Sequence, residues 1–191
     1  MINEIEQNTR PDLKFNDPNN LLLIDGSGYI FRAFYGLPPM TNKNGVPVNA
    51  VFGFTKMLIK LIDDLKPNYA AVVFDVSRKT FRNDLYELYK ANRSEPPEDL
   101  IPQFSIIRDA TKAIGLPVVE MEGFEADDLI ATYSKTASKI KKKAIIVSSD
   151  KDLMQLVDNN TILFDPMKQL WIDDEKVFEK FGVPPNKVID V

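Results

Sequence analysis

LLLID, residues 21–25, is an unbroken apolar run that ends in an acid and is followed at once by Gly-Ser-Gly. Such a run reads as a buried strand, and the glycines read as the turn that closes it. The same pattern recurs. AAVVFD (70–75) and KAIIVSSD (143–150) are buried runs ending in Asp, and PVVEM (117–121) is a shorter one. TILFD (161–165) and QLWID (169–173) suit a short strand pair around Pro166-Met167-Lys168.

Between these runs lie segments with helical apolar spacing, at 29–37, 50–65, 99–116, 125–143, 150–157 and 174–182. Lys66-Pro67 stops the second of them, because proline disfavours a helical predecessor. Gly115 and Gly182 stand near the ends of the third and the last. Strands alternating with helices imply an α/β fold, a mostly parallel central sheet with helices on both faces. Residues 1–19 are polar with no apolar signal core, and read as a poorly ordered leader before one domain at 20–191.

The chain has 191 residues, no Cys and no His, and a formal net charge of −4. Disulfides, thiolate zinc sites, Cys nucleophiles and Ser-His-Asp chemistry are therefore excluded. The lack of Cys agrees with a cytoplasmic setting. No apolar run reaches the length of a membrane span. Any hydrolytic chemistry must come from carboxylates, Lys, Arg, Tyr and bound metal.

Sites in such sheets lie beyond the carboxyl ends of the strands. That edge is where the strand-terminal acids Asp25, Asp75 and Asp150 fall, joined by Asp152 and by Glu125, Asp127 and Asp128 of GFEADDLIA (123–131). Two unit charges about 5 Å apart repel by roughly 3 kcal/mol at an effective dielectric near 20. A tight acidic cluster is thus a candidate cation site. Carboxylates without His or Cys suit Mg²⁺ or Mn²⁺ better than Zn²⁺, and seven of them allow two ions. Two such ions are a known device for phosphodiester hydrolysis.

The segment 77–93 carries a local excess of three positive charges, with Phe81, Tyr86 and Tyr89 interleaved. Lys and Arg can meet phosphates, and Tyr can stack on an unpaired base. Each feature has a plainer explanation. An acid in a first helical turn is usually a cap or dipole partner. A charged aromatic helix is usually a solvated face. Capping alone does not require four separate segments to place acids at one sheet edge.

LLLIDGSGYIFRAFYGLP, NAVFGFTKML, AVVFDVSRKTFRNDLYELYKANR, GFEADDLIA and SSDKDLMQLV, in this order, closely resemble the 5′-nuclease domains at the N-terminus of bacterial DNA polymerase I. These belong to the 5′-nuclease and flap endonuclease family, whose core is PIN-like. The resemblance runs from about residue 20 to the end. It implies a Mg²⁺- or Mn²⁺-dependent enzyme that cuts 5′ flaps and 5′ ends of DNA, or RNA paired with DNA, in replication and repair. It implies metal roles for Asp25, Asp75, Glu125, Asp127, Asp128, Asp150 and Asp152. Lys90 and Arg93 resemble catalytic basic residues of a helical arch, here near 77–105, that meet the scissile phosphate. Tyr89, Arg32 and Arg82 resemble further substrate contacts. The family continues into a GDxSDN-type stretch, a helix-hairpin-helix element and a polymerase portion, all beyond the present sequence. The alternatives are a nucleic-acid-binding fragment that cuts nothing, and a PIN-type ribonuclease.

Overall fold

Strand residues in this protein alternate between two apolar clusters, and that alternation makes the sheet the middle of three layers. The computed structural model describes residues 16–77, 79–92 and 94–191. Six strands, β1 (Asn20–Asp25), β2 (Tyr69–Val73), β3 (Val118–Val119), β4 (Lys143–Val147), β5 (Thr161–Asp165) and β6 (Leu170–Ile172), form one sheet in the order β3-β2-β1-β4-β5-β6. All neighbours are parallel except β5 and β6, which pair antiparallel. Leu22, Ile24, Val72, Ile145, Val147, Ile162 and Phe164 face one cluster. Leu23, Val73, Ala144, Ile146 and Leu163 face the other. Side chains two apart share a face, so strands buried on both sides read as continuous apolar runs.

The first cluster is covered by α1 (Gly26–Gly36), α2 (Asn49–Leu65) and α4 (Gln103–Ala113), which contribute Tyr29, Phe54, Leu58 and Ile107. The second is covered by α5 (Ala126–Lys139), α6 (Asp174–Phe181) and a 3₁₀ turn at Asp152–Leu156, through Leu129, Ile130, Val177 and Leu153. Gly26 is required where α1 leaves the sheet, since a Cβ there would lie 2.4 Å from the Phe74 ring.

The sheet grows outward from β1 to β2 and β3, then returns to place β4 on the other side of β1. The order therefore reverses at β1. In open parallel sheets such a switch point is where loops part and leave a crevice.

Three expectations need correction. Gly26-Ser27-Gly28 is not a turn but the start of α1, because the Asp25 side chain accepts the N–H groups of Ser27 and Gly28. Residues 150–157 hold a 3₁₀ helix rather than an α-helix. The helical arch near 77–105 is reduced among the described residues to the short helix α3 (Phe81–Leu85), turns over 87–92 and the start of α4. Pro96, Pro97 and Pro102 interrupt the helical ladder in this stretch. Of the proposed leader, residues 1–15 lie outside the described residues. No helix among those described is long and apolar enough to cross a membrane.

Candidate metal and phosphate site

The carboxyl ends of β1, β2 and β4 open into a cavity of about 1900 Å³. Asp25, Asp75, Glu125, Asp127 and Asp150 all line it, as do Arg32, Lys79, Tyr89 and Lys90. Five of the seven expected acids are thus brought together.

Asp25 ends β1 and is only 8% exposed. Its Oδ1 accepts the N–H of Ser27 at 3.1 Å, and its Oδ2 accepts the Ser148 hydroxyl at 2.8 Å. Burial raises its pKa, opposed by the Ser148 hydrogen bond and reinforced by the charges of Asp75 and Asp150. Asp75, two residues past β2, accepts the Ser27 hydroxyl at 2.7 Å and the Ala126 N–H at 2.8 Å. It thereby ties the start of α5 to the end of β2. Asp150 donates its own N–H to Ser148 Oγ at 3.0 Å and accepts the Asp152 N–H at 2.9 Å.

Glu125 precedes the first residue of α5. It accepts the Lys90 ammonium at 2.8 Å and the Tyr89 hydroxyl at 3.2 Å. Lys90 holds a left-handed backbone, φ 55°, which costs about 1–2 kcal/mol in a residue with a Cβ. Asp127 follows within the first turn. Burial, then the charges of Asp25, Asp150 and Asp75, push its carboxyl up to about 7. The wall thus holds more negative charge than its own cations offset.

Two expected acids are placed elsewhere. Asp128 turns away from the cavity and takes both terminal nitrogens of Arg82 at 2.7 Å. That pairing holds its carboxyl below the usual range. Asp152 is exposed and does not line the cavity. Among the described residues no three acidic side chains stand close enough to form a ready ligand set. Asp25, Asp75, Glu125 and Asp150 are instead turned toward internal donors. The donor set is nonetheless hard oxygen throughout, which fits a divalent cation of the Mg²⁺ or Mn²⁺ kind.

The 5′-3′ exonuclease, N-terminal resolvase-like domain model matches residues 20–182. The chain belongs to this family. This exonuclease-family domain is 56% identical to DNA polymerase I of Rhizobium leguminosarum over 181 residues, 91% of the chain and 18% of that polymerase. It is 41% identical to a 5′-3′ exonuclease of Aquifex aeolicus over 170 residues, 89% of the chain and 59% of the relative. It therefore spans about a fifth of the one and three fifths of the other. In fold it is similar to bacteriophage T5 flap endonuclease in complex with DNA and metal ions, with TM-score 0.67 and 20% identity over 86% of the chain and 61% of the phage protein.

Within the exonuclease-family domain, the expected phosphate- and substrate-contacting residues divide. Lys90, Tyr89 and the exposed Arg32 reach the cavity wall. Arg82 does not, because its guanidinium is spent on Asp128. Arg93 lies outside the described residues. Sequence reasoning passed over Ser27, Ser148 and Arg108. Ser27 and Ser148 each join two elements at the cavity floor. Arg108 donates to the Asp75 carbonyl at 2.7 Å and to Glu120 at 2.6 Å, with its guanidinium 4.9 Å from the Phe74 ring centre. A Ser two residues before a strand-end Asp was the available signal for Ser148. Arg108 gave none, since a lone Arg on a helix is usually solvated.

Proposed function

We propose that this domain is a divalent-metal-dependent 5′-nuclease that hydrolyses phosphodiester bonds at 5′ flaps and 5′ ends of DNA. The observation that carries the proposal is the convergence of Asp25, Asp75, Glu125, Asp127 and Asp150, from four segments, on one open cavity. Its volume of about 1900 Å³ exceeds the roughly 300–1,000 Å³ of small-molecule sites and suits a polymer end.

Those five acids are the residues that would hold Mg²⁺ or Mn²⁺. A bound divalent cation supplies an activated water and offsets charge on phosphoryl oxygens. The chain's own residues do the rest. Lys90 and Arg32 place positive charge on the wall, where they attract a phosphate. Tyr89 offers a ring face for the terminal base, and the Lys90 ammonium lies 5.1 Å from that ring's centre. Ser27 and Ser148 hold Asp75 and Asp25 in orientation.

The test is cleavage of an end-labelled 5′-flap DNA in Mg²⁺ and in Mn²⁺, beside an RNA flap paired with DNA. Asp75→Ala and Asp150→Ala are expected to lose more than the about 10–100-fold that loss of an outer contact costs a metal site. An active parent with both variants fully active would sink the metal roles.

A further inference from the structure

The basic segment and the acidic helix are bolted together at one place. Thr80 forms an isolated parallel bridge to Gly123, and the Phe81 N–H donates to the Gly123 carbonyl at 2.9 Å. The rings of Phe81 and Phe124 lie 5.6 Å apart. Gly123 takes φ 81°, a left-handed turn that favours glycine just before the helix. Asn83 Oδ1 accepts the Thr80 N–H at 2.9 Å and fixes the start of α3. Arg82 therefore leaves a rigid base, with its guanidinium 4.7 Å from the Phe81 ring centre.

From that base its two terminal nitrogens each reach an oxygen of Asp128 at 2.7 Å. Asp128 Oδ2 also accepts the Glu125 N–H at 3.0 Å. One carboxylate thus binds the guanidinium fork of one segment and the backbone of the other. A planar fork sets direction as well as distance, which a lysine does not. Neither Arg82 nor Asp128 lines the cavity, whereas Glu125 and Asp127, on either side of Ala126, both do.

We propose that Arg82 and Asp128 are a positioning pair: they lock the first turn of α5 against the base of the basic segment, so that Glu125 and Asp127 face the cavity. On this reading neither residue ligates the cation and neither touches the phosphate. The meaning of the cavity rests on the nuclease proposal. The lock itself does not.

The experiment has two arms. In the first, Mn²⁺ binding is titrated by electron paramagnetic resonance at a temperature where every variant is folded. Arg82→Gln, Arg82→Lys and Asp128→Asn are each expected to weaken Mn²⁺ about 10-fold while leaving the number of bound ions unchanged. The double variant Arg82→Gln/Asp128→Asn should bind no more weakly than the worse single one. In the second arm, urea unfolding of the metal-free protein should show the same non-additivity between the two positions.

Loss of a bound ion in Asp128→Asn alone would make Asp128 a ligand and overturn the proposal. So would unchanged or tighter Mn²⁺ binding in Arg82→Gln, because the guanidinium, 3.7 Å from Glu125, would then be only a competing charge. Weaker flap DNA binding in Arg82→Gln but not in Asp128→Asn would return Arg82 to the substrate and overturn it too. A parent chain that takes up no Mn²⁺ would end the nuclease reading, while the urea arm would still decide the lock.

Discussion

Burial and the charges of Asp25, Asp150 and Asp75 push the Asp127 carboxyl up to about 7, and Lys90 opposes them. A folded-state pKa above the unfolded value means that the folded protein holds the proton more tightly. Its stabilising effect is full below the unfolded pKa near 4 and is lost as pH rises toward 7. The metal-free parent should therefore lose stability relative to Asp127→Asn between about pH 4 and pH 7, measured by urea unfolding across that window. A parallel pH dependence in the two proteins would remove Asp127 from the charge conflict. Asp128 acts in the opposite sense, since Arg82 depresses its pKa and that stability is lost only as pH falls through the depressed value. The sequence displayed both acids side by side, but not their opposite fates. What separates them is Arg82, 46 positions away from Asp128, and no local spacing encodes that pairing.

At the scale of elements, the strands were legible because an apolar run buried on two faces is a local signal. β1, β4, β5 and β6 fall where the runs 21–25, 143–150, 161–165 and 169–173 put them, to within a few residues. The Gly-Ser-Gly after β1 was misread because the same glycines serve a turn or a helix start, and the deciding bonds are those of the Asp25 side chain. Gly26→Ala should destabilise by about 1–3 kcal/mol, as overpacking does, because the added methyl meets the buried Phe74 ring. Unfolding in urea measures it, and a neutral result would mean the ring can swing away. Arg108→Ala should cost about 0.5–1.5 kcal/mol, the net worth of hydrogen bonds whose exposed acceptors, the Asp75 carbonyl and Glu120, can turn to water. It should slow flap cleavage as well, since the loop bearing Asp75 loses its brace. Normal stability and normal cleavage in that variant would show the brace to be dispensable.

For the molecule as a whole, a cation bound among acids from β1, β2, α5 and the turn after β4 stabilises only the folded chain. Mn²⁺ at about 100 times its dissociation constant should add roughly 2.7 kcal/mol, seen as a higher Tm in calorimetry. Asp75→Ala and Asp150→Ala should each blunt that rise, and an unchanged Tm in the parent would count against a formed site. The α/β architecture with helices on both faces could be read from alternation alone. The gathering of acids was inferable from the rule that strand ends face one edge, but the orientation of each side chain depended on partners in other segments.

Placing β1 between β2 and β4 has a consequence for synthesis on the ribosome. Asp25 and Asp75 emerge early, yet β4, the neighbour of β1 that leads into Ser148 and Asp150, is made more than a hundred residues after Asp25. A nascent polypeptide halted before residue 143 lacks one flank of the crevice. The hydrolytic capacity proposed for the finished domain therefore cannot arise in its incomplete precursors, however well the first three strands associate.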